Sequence, residues 1–330
     1  MELAPAQLAA LVAIAEQGTF EAAARHLHVT ASAVSQRIRA LESEVGQVVV
    51  QRTTPCRPTD AGEVLLRLAR QTRLLHDEVQ DALAHGHLGT IDLPVAVSAD
   101  SLATWFRAVL ADVAGWDDVA LRLHVEDQAF SAALLRSGAV LAAVTSDPVA
   151  VQGCSVEPLG ALRYVPAAAP AVVERWRRGR APDWAAMPMV VFNEKDALQH
   201  EVLAARGVGE PPVVHRVPTS ADFLEAVRLG LGWGMIPLPQ LDKTLVPLGS
   251  RLHVDVPLHW QRWRLASPTL DRSTDVVRRT TTWPTSDSSA RIRWLTADAV
   301  TCRCRAAASN VPWSAIATRA ASWAGANSMK

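Results

Sequence analysis

The sequence predicts a mainly α winged helix-turn-helix head, a long linker helix, and an α/β region of two lobes. Three observations carry this. Between Phe20 and Pro58, a short helix, a tight turn, a second helix and a short extended stretch follow one another. From Ala61 to Ala82, small and apolar residues step by four and three. From Ile91 onward, short apolar runs alternate with helical patterns, which predicts α/β structure around a largely parallel sheet.

In the head, a helix over 6–16 turns Leu8, Leu11, Val12 and Ala15 inward, with Gly18 as terminator and Thr19 as the next cap. The helix over 20–27 carries Ala22, Ala23 and Ala24, small enough for a steep helix crossing. His28, Val29 and Thr30 make the turn, and the hydroxyl of Thr30 or Ser32 caps the helix that follows. There Val34, Ile38, Leu41 and Val45 recur at helical spacing and face the core. Ser32, Gln36, Arg39 and Ser43 face outward, flanked by Ser35 and Arg37. On pattern alone, an αα-hairpin of a helical domain is the less favoured alternative.

Charge sharpens the reading. The 330-residue chain has net charge zero, which argues against indiscriminate coating of nucleic acid. Residues 1–60 hold five Arg against six acids, yet 30–57 hold Arg37, Arg39, Arg52 and Arg57 against Glu42 and Glu44. Positive charge therefore sits on the second helix and the wing, where guanidinium groups neutralise phosphates or bond a guanine edge.

The run AARHLHVTASAVSQRIRALESEVGQVVVQR, followed by RPTDAGEVLL, resembles the DNA-binding domain of LysR-type transcriptional regulators. The family pattern Ser-Gln-x-Ile-x-x-Leu-Glu stands here as Ser35, Gln36, Ile38, Leu41 and Glu42, and Leu-Thr-x-x-Gly as Pro58, Thr59 and Gly62. Val48 and Val49 replace the usual Leu-Phe and are expected to loosen the packing under the wing. The resemblance implies that double-stranded DNA is read by Thr30, Ser32, Ser35, Gln36, Arg37, Arg39, Arg52 and Arg57, as a homodimer or homotetramer.

Thr59 next caps a helix reaching about residue 84, with Ala61, Leu65, Leu68, Thr72, Leu75, Val79 and Ala82 as a seam for a partner helix. Residues 85–89 form a hinge. The first lobe reads as strand 93–98, helix 101–113, strand 119–126, helix 129–137 and strand 140–145. The second reads as strand 163–167, helix 171–178, strand 189–192, helix 197–206, strand 213–217, helix 220–229 and strand 234–236. Two α/β lobes around a cleft have the shape of periplasmic binding proteins, with ligands beyond the strand ends near helix starts.

At those places stand Asp100, Ser101, Thr104, Trp105, Glu126, Asp127, Thr145 and Ser220. Hydroxyls and backbone N–H groups suit a carboxylate, and the three acids suit ammonium groups. Together they fit a zwitterion with an extra positive charge. On the residues alone, Asp100 and Ser220 serve equally well as helix caps, and Glu126 and Asp127 as a solvated strand end.

The segments ADSLATWF, VEDQ, AVTSDPVAVQGCSVEPLGALRY, GLGWGMIP and LHWQRWRLASPTL resemble the ArgP or LysG subgroup of LysR-type regulators. That subgroup senses lysine and arginine and controls basic amino-acid export. The resemblance implies effector contacts from Asp100, Ser101, Thr104, Glu126, Asp127, Thr145 and Ser220, with Trp105 and Trp233 as aromatic walls or core. It implies L-lysine or L-arginine as effector without a cofactor, an exporter gene activated, and RNA polymerase as a partner.

Other classes are weaker. No phosphate loop, nucleophile elbow or metal-ligand cluster marks an enzyme, and Cys56, Cys154, Cys302 and Cys304 lack metal or disulfide spacing. No apolar run of membrane length and no signal-peptide layout is present, so a cytoplasmic protein at the nucleoid is expected. A nucleoid-type or replication-linked DNA-binding protein is the nearest rival, beside a LysR-type regulator with another effector. The expected domains are 1–59, 60–89, 90–280 and 281–330. The last stretch carries net charge +4 and lacks periodicity. Either it is translated in a shifted frame, since the chain has 30 Arg but only three Lys, or it is a basic extension; the first is favoured, and poor order is expected in both cases.

Overall fold

A computed structural model of the chain describes residues 3–83, 89–126, 131–194, 196–249 and 251–281. Most of the expected hinge, Asp127 and almost all of the C-terminal stretch lie outside the described residues.

The head is built from α1 (Pro5–Gln17), α2 (Phe20–His26) and α3 (Ala31–Val45) around Leu11, Ile14, Val34, Ile38 and Leu41. Thr19 Oγ1 accepts the Ala22 N–H at 3.1 Å and Thr30 Oγ1 the Ala33 N–H at 3.2 Å, so both helices start on hydroxyl caps. Thr30 is thus the cap of α3, and Ser32 instead shares a 2.9 Å hydrogen bond with its hydroxyl. His28 takes a left-handed φ of 54° in the turn.

The wing pairs β1 (Val50–Gln51) with β2 (Arg57–Pro58), antiparallel. Val49 is fully buried beneath it while Val48 is exposed, so one valine takes the core position and the other faces out.

The linker helix α4 (Asp60–Leu83) begins on Thr59, whose Oγ1 accepts the Gly62 N–H at 3.1 Å. A Cβ on Gly62 would stand 2.1 Å from the Val49 carbonyl oxygen, so only glycine lets the helix lie this close to the wing. Leu65, Leu66 and Ala69 complete the head core, and Leu74 enters the core of the α/β region. Leu65 therefore does not belong to the outer seam. Leu68, Thr72, Val79 and Ala82 are exposed as expected, joined by Val64 and Leu83. The inner face is also fastened: Arg70 Nη1 donates to the Ser137 carbonyl at 3.1 Å, and Gly138, at φ 68°, leaves 2.8 Å between its virtual Cβ and Arg67 Cα.

The first lobe holds β3 (Ile91–Val97), α5 (Ala99–Ala103), α6 (Phe106–Val113), β4 (Val119–Val125), α7 (Ser131–Arg136) and β5 (Ala142–Thr145). The helix expected over 101–113 is broken at Thr104, whose ψ of −107° is not helical. Next come β6 (Cys154–Ala168), α8 (Pro170–Arg175) and the hairpin of β7 (Arg177–Arg178) with β8 (Ala181–Pro182). The second lobe continues with β9 (Met189–Val191), α9 (Leu198–Ala204), β10 (Val214–Arg216), α10 (Ser220–Arg228), β11 (Gly234–Pro237) and β12 (Val246–Pro247). The described chain ends with β13 (Val254–Trp263) and α11 (Pro268–Thr280).

The main sheet runs β11-β6-β13-β5-β3-β4, with β12 beside β6. Only β3–β4 and β3–β5 are parallel in it; β6 and β13 pair antiparallel with each other and with their outer neighbours. The expected largely parallel sheet is therefore mixed. The cause is two long strands that pass between the lobes: β13 pairs with β5 through His259–Arg262, and β6 pairs with β11 through Tyr164–Ala167. A register shift between Leu258 and His259 marks the passage.

Gly62→Ala should lower stability by about 1–3 kcal/mol through overpacking against Val49. A denaturant titration followed on the head would show the midpoint shift, and an unchanged midpoint would remove the close-approach argument.

Candidate functional site

With Val34, Ile38 and Leu41 buried, helical geometry leaves Ser32, Gln36 and Arg39 exposed on the opposite side of α3. Thr30 is exposed at its start, and Ser35 and Arg37 are half-buried on the flanks. Arg52 and Arg57 are exposed in the wing, and the Arg52 guanidinium lies 5.1 Å from the centre of the Phe20 ring. That stacking places a cation beside the start of α2. Glu42 Oε1 accepts the Val49 N–H at 3.0 Å, and Thr59 Oγ1 donates to the Val48 carbonyl at 2.7 Å. The helix and the wing are thereby held as one polar surface, rigid from beneath.

Of the second group of residues, Asp100 and Ser220 meet where α5 of one lobe approaches α10 of the other. Ser98 caps α5, its Oγ accepting the Ser101 N–H at 3.2 Å, and Thr219 caps α10. Asp100 and Ser220 are therefore not the caps. Instead Ser220 Oγ donates to Asp100 Oδ1 at 2.8 Å, and the Tyr164 hydroxyl donates to Asp100 Oδ2 at 2.9 Å. One carboxylate thus receives a hydroxyl from the opposite lobe and another from the strand that joins the lobes.

Around this bridge, Ser101 is fully buried with its Oγ lacking a hydrogen-bond partner among the described residues, and so is the indole nitrogen of half-buried Trp105. Trp105 lies edge-on to Phe106, with ring centres 5.4 Å apart. Thr104 Oγ1 donates to the Asp100 carbonyl at 2.6 Å, fixing the first turn of α5. Thr145 is buried at the end of β5, where its Oγ1 accepts the Asp147 N–H at 2.9 Å. Glu126 is exposed just past β4.

For Trp233, read from the sequence as wall or core, burial favours the core. It is fully buried in the second lobe, edge-on to Trp184 with centres 5.0 Å apart, and presents no surface to a cleft. It is a core side chain. Tyr164, by contrast, was absent from the residues singled out by sequence, although it is the one tyrosine of the chain. No helix among the described residues is long and apolar enough to cross a membrane.

The family model of the bacterial regulatory helix-turn-helix proteins, lysR family, matches residues 5–63, and that of the LysR substrate binding domain matches residues 93–283. The chain belongs to the LysR family. It is 46% identical over 280 residues to the lysine export transcriptional regulatory protein LysG of Corynebacterium efficiens, covering 83% of this chain and 96% of that one. The crystal structure of ArgP from Mycobacterium tuberculosis superposes with a TM-score of 0.75 at 45% identity, covering 86% of this chain and 98% of that one. Full-length LysG from Corynebacterium glutamicum with bound effector Arg gives a TM-score of 0.70 at 41% identity, covering 84% and 98%. The LysR family match spans both surfaces described above, the helix-turn-helix face and the lobe junction.

Replacing Glu42 by Ala would strip the Val49 N–H of its acceptor, at a cost of about 1–2 kcal/mol. Hydrogen exchange at the Val49 amide should accelerate roughly tenfold for the corresponding free energy; unchanged exchange would show that the helix does not hold the wing through this bond.

Proposed function

We propose that this chain is a sequence-specific DNA-binding transcriptional regulator that responds to arginine or lysine and controls a gene for basic amino-acid export. The observation that carries the reading is the Asp100 carboxylate at the junction of the lobes, bridged to Ser220 and Tyr164. An acid next to buried Ser101, whose Oγ has no hydrogen-bond partner among the described residues, suits an amino acid bearing an extra positive charge. Relatives named for lysine export, and one solved with bound Arg, support the same ligand class.

In this reading Asp100, Ser101, Thr104, Trp105, Glu126, Asp127, Thr145 and Ser220 contact the effector. The DNA is met by Thr30, Ser32, Ser35, Gln36, Arg37, Arg39, Arg52 and Arg57, with base edges read from α3 and phosphates held from the wing. The outer stripe of α4 from Val64 to Leu83 pairs with the same stripe of a second subunit, which supplies two heads at fixed separation. The work divides as 1–59 for DNA, 60–89 for pairing and linkage, and 90–280 for sensing. The protein acts in the cytoplasm at the nucleoid, with RNA polymerase as its partner.

The mechanism is linkage. An effector that binds one arrangement of the lobes more tightly shifts the assembly toward it, and the spacing of the heads follows. A change in spacing alters DNA bending without altering a base contact.

Calorimetric titration with arginine, lysine and a neutral amino acid is the direct test: the two cationic ligands should bind and the neutral one should not. Equal binding of all three, or none, would sink the reading. Gln36→Ala or Arg39→Ala should narrow the affinity gap between operator and random DNA, by about 1–3 kcal/mol for a lost base contact. Arg52→Ala should weaken all DNA alike and flatten the salt slope by about one unit. Mobility-shift assays at two or more salt concentrations separate these outcomes.

A further inference from the structure

The two hydroxyls on Asp100 are not equivalent. Tyr164 is only 3% exposed and lies within β6, paired on one side with β11 at Pro237 and on the other with β13 at Val254. Its phenol is held by the sheet itself. Ser220 opens α10 at the rim of the second lobe and is half-buried. One donor is thus set in the strand that joins the lobes, and the other rides on a helix of one lobe.

We propose that Tyr164 is a positioning residue for the effector: its hydroxyl holds Asp100 Oδ2, so that Oδ1 is aimed at the place where Ser220 donates in this structure and where a cationic group of the effector docks. This rests on the function proposed above and adds a residue to it. A carboxylate on a short helix has rotational freedom about its side-chain torsions, and a hydrogen bond from a buried phenol removes it. Preorganisation of this kind raises affinity by lowering the ordering cost of binding. The Thr104 hydroxyl, bonded to the Asp100 carbonyl at 2.6 Å, restrains the same residue through its backbone, so that side chain and main chain of Asp100 are both held.

The test is a double-mutant cycle on the full chain, titrated with arginine by calorimetry. Tyr164→Phe keeps the ring and deletes the hydroxyl, and is expected to raise Kd about tenfold. Asp100→Asn should raise it further, and the double variant should bind no more weakly than Asp100→Asn alone, because the phenol acts through the carboxylate. A Kd for Tyr164→Phe within twofold of the parent overturns the proposal. So does a loss that adds in full to that of Asp100→Asn, since a merely structural residue would behave so.

Because the chain has a single tyrosine, labelling with 3-fluorotyrosine gives one fluorine resonance. Saturating arginine should move it, and an unmoved resonance likewise overturns the proposal, including where Asp100→Asn binds too weakly to titrate. If the parent chain binds neither arginine nor lysine, the functional reading fails together with this one. If it binds and Tyr164→Phe is silent, only the role of the tyrosine fails.

Discussion

One helix has to satisfy three surfaces at once, and the remainder of the molecule is arranged around that demand. At 24 residues, α4 is about 36 Å long. Its first turns close the head through Gly62, Leu65, Leu66 and Ala69, and Leu74 reaches the core of the sensing region. The sides that remain carry Leu68, Val79 and Leu83 to the solvent. A helix that buries one stripe against its own chain and exposes another apolar stripe has its orientation decided on both sides. The head follows the helix, since Glu42 and Thr59 bind wing and reading helix to its start.

The lobe junction obeys a different logic. Its bridge joins a carboxylate from α5 to hydroxyls from α10 and β6, three elements remote from one another in sequence. The strands β6 and β13 that pass between the lobes stay paired over most of their length, with a register shift between Leu258 and His259.

The head was readable in the sequence because its signals are local. Thr19 and Thr30 each sit three residues before the amide they cap, and Val34, Ile38 and Leu41 repeat within one helix. The polar side chains of α3 then had only one direction to face. What escaped was non-local. The strand β13 alternates apolar Val254, Val256, Leu258 and Trp260 with Asp255, Pro257 and His259, but Pro257 argues locally against a strand, and its pairing with β5 and β6 joins residues about a hundred positions apart. The pairing of Asp100 with Ser220 spans 120 residues, and each side chain looked equally like a helix cap until Ser98 and Thr219 were seen to hold those positions. Trp233 followed a glycine in a short motif that suited a wall or a core, and only burial separated the two.

Glu78, near the far end of α4, has a quieter role. Its Oε1 accepts from the Ser267 hydroxyl at 2.6 Å and from the Thr269 N–H at 3.1 Å, so the negative charge that settles the start of α11 is supplied by the helix that bears the head. Ser267 in turn accepts the Leu270 N–H, which makes the carboxylate the keystone of that turn. The shaft of the molecule is consequently keyed: to roll about its own axis it would have to strip α11 of its anion.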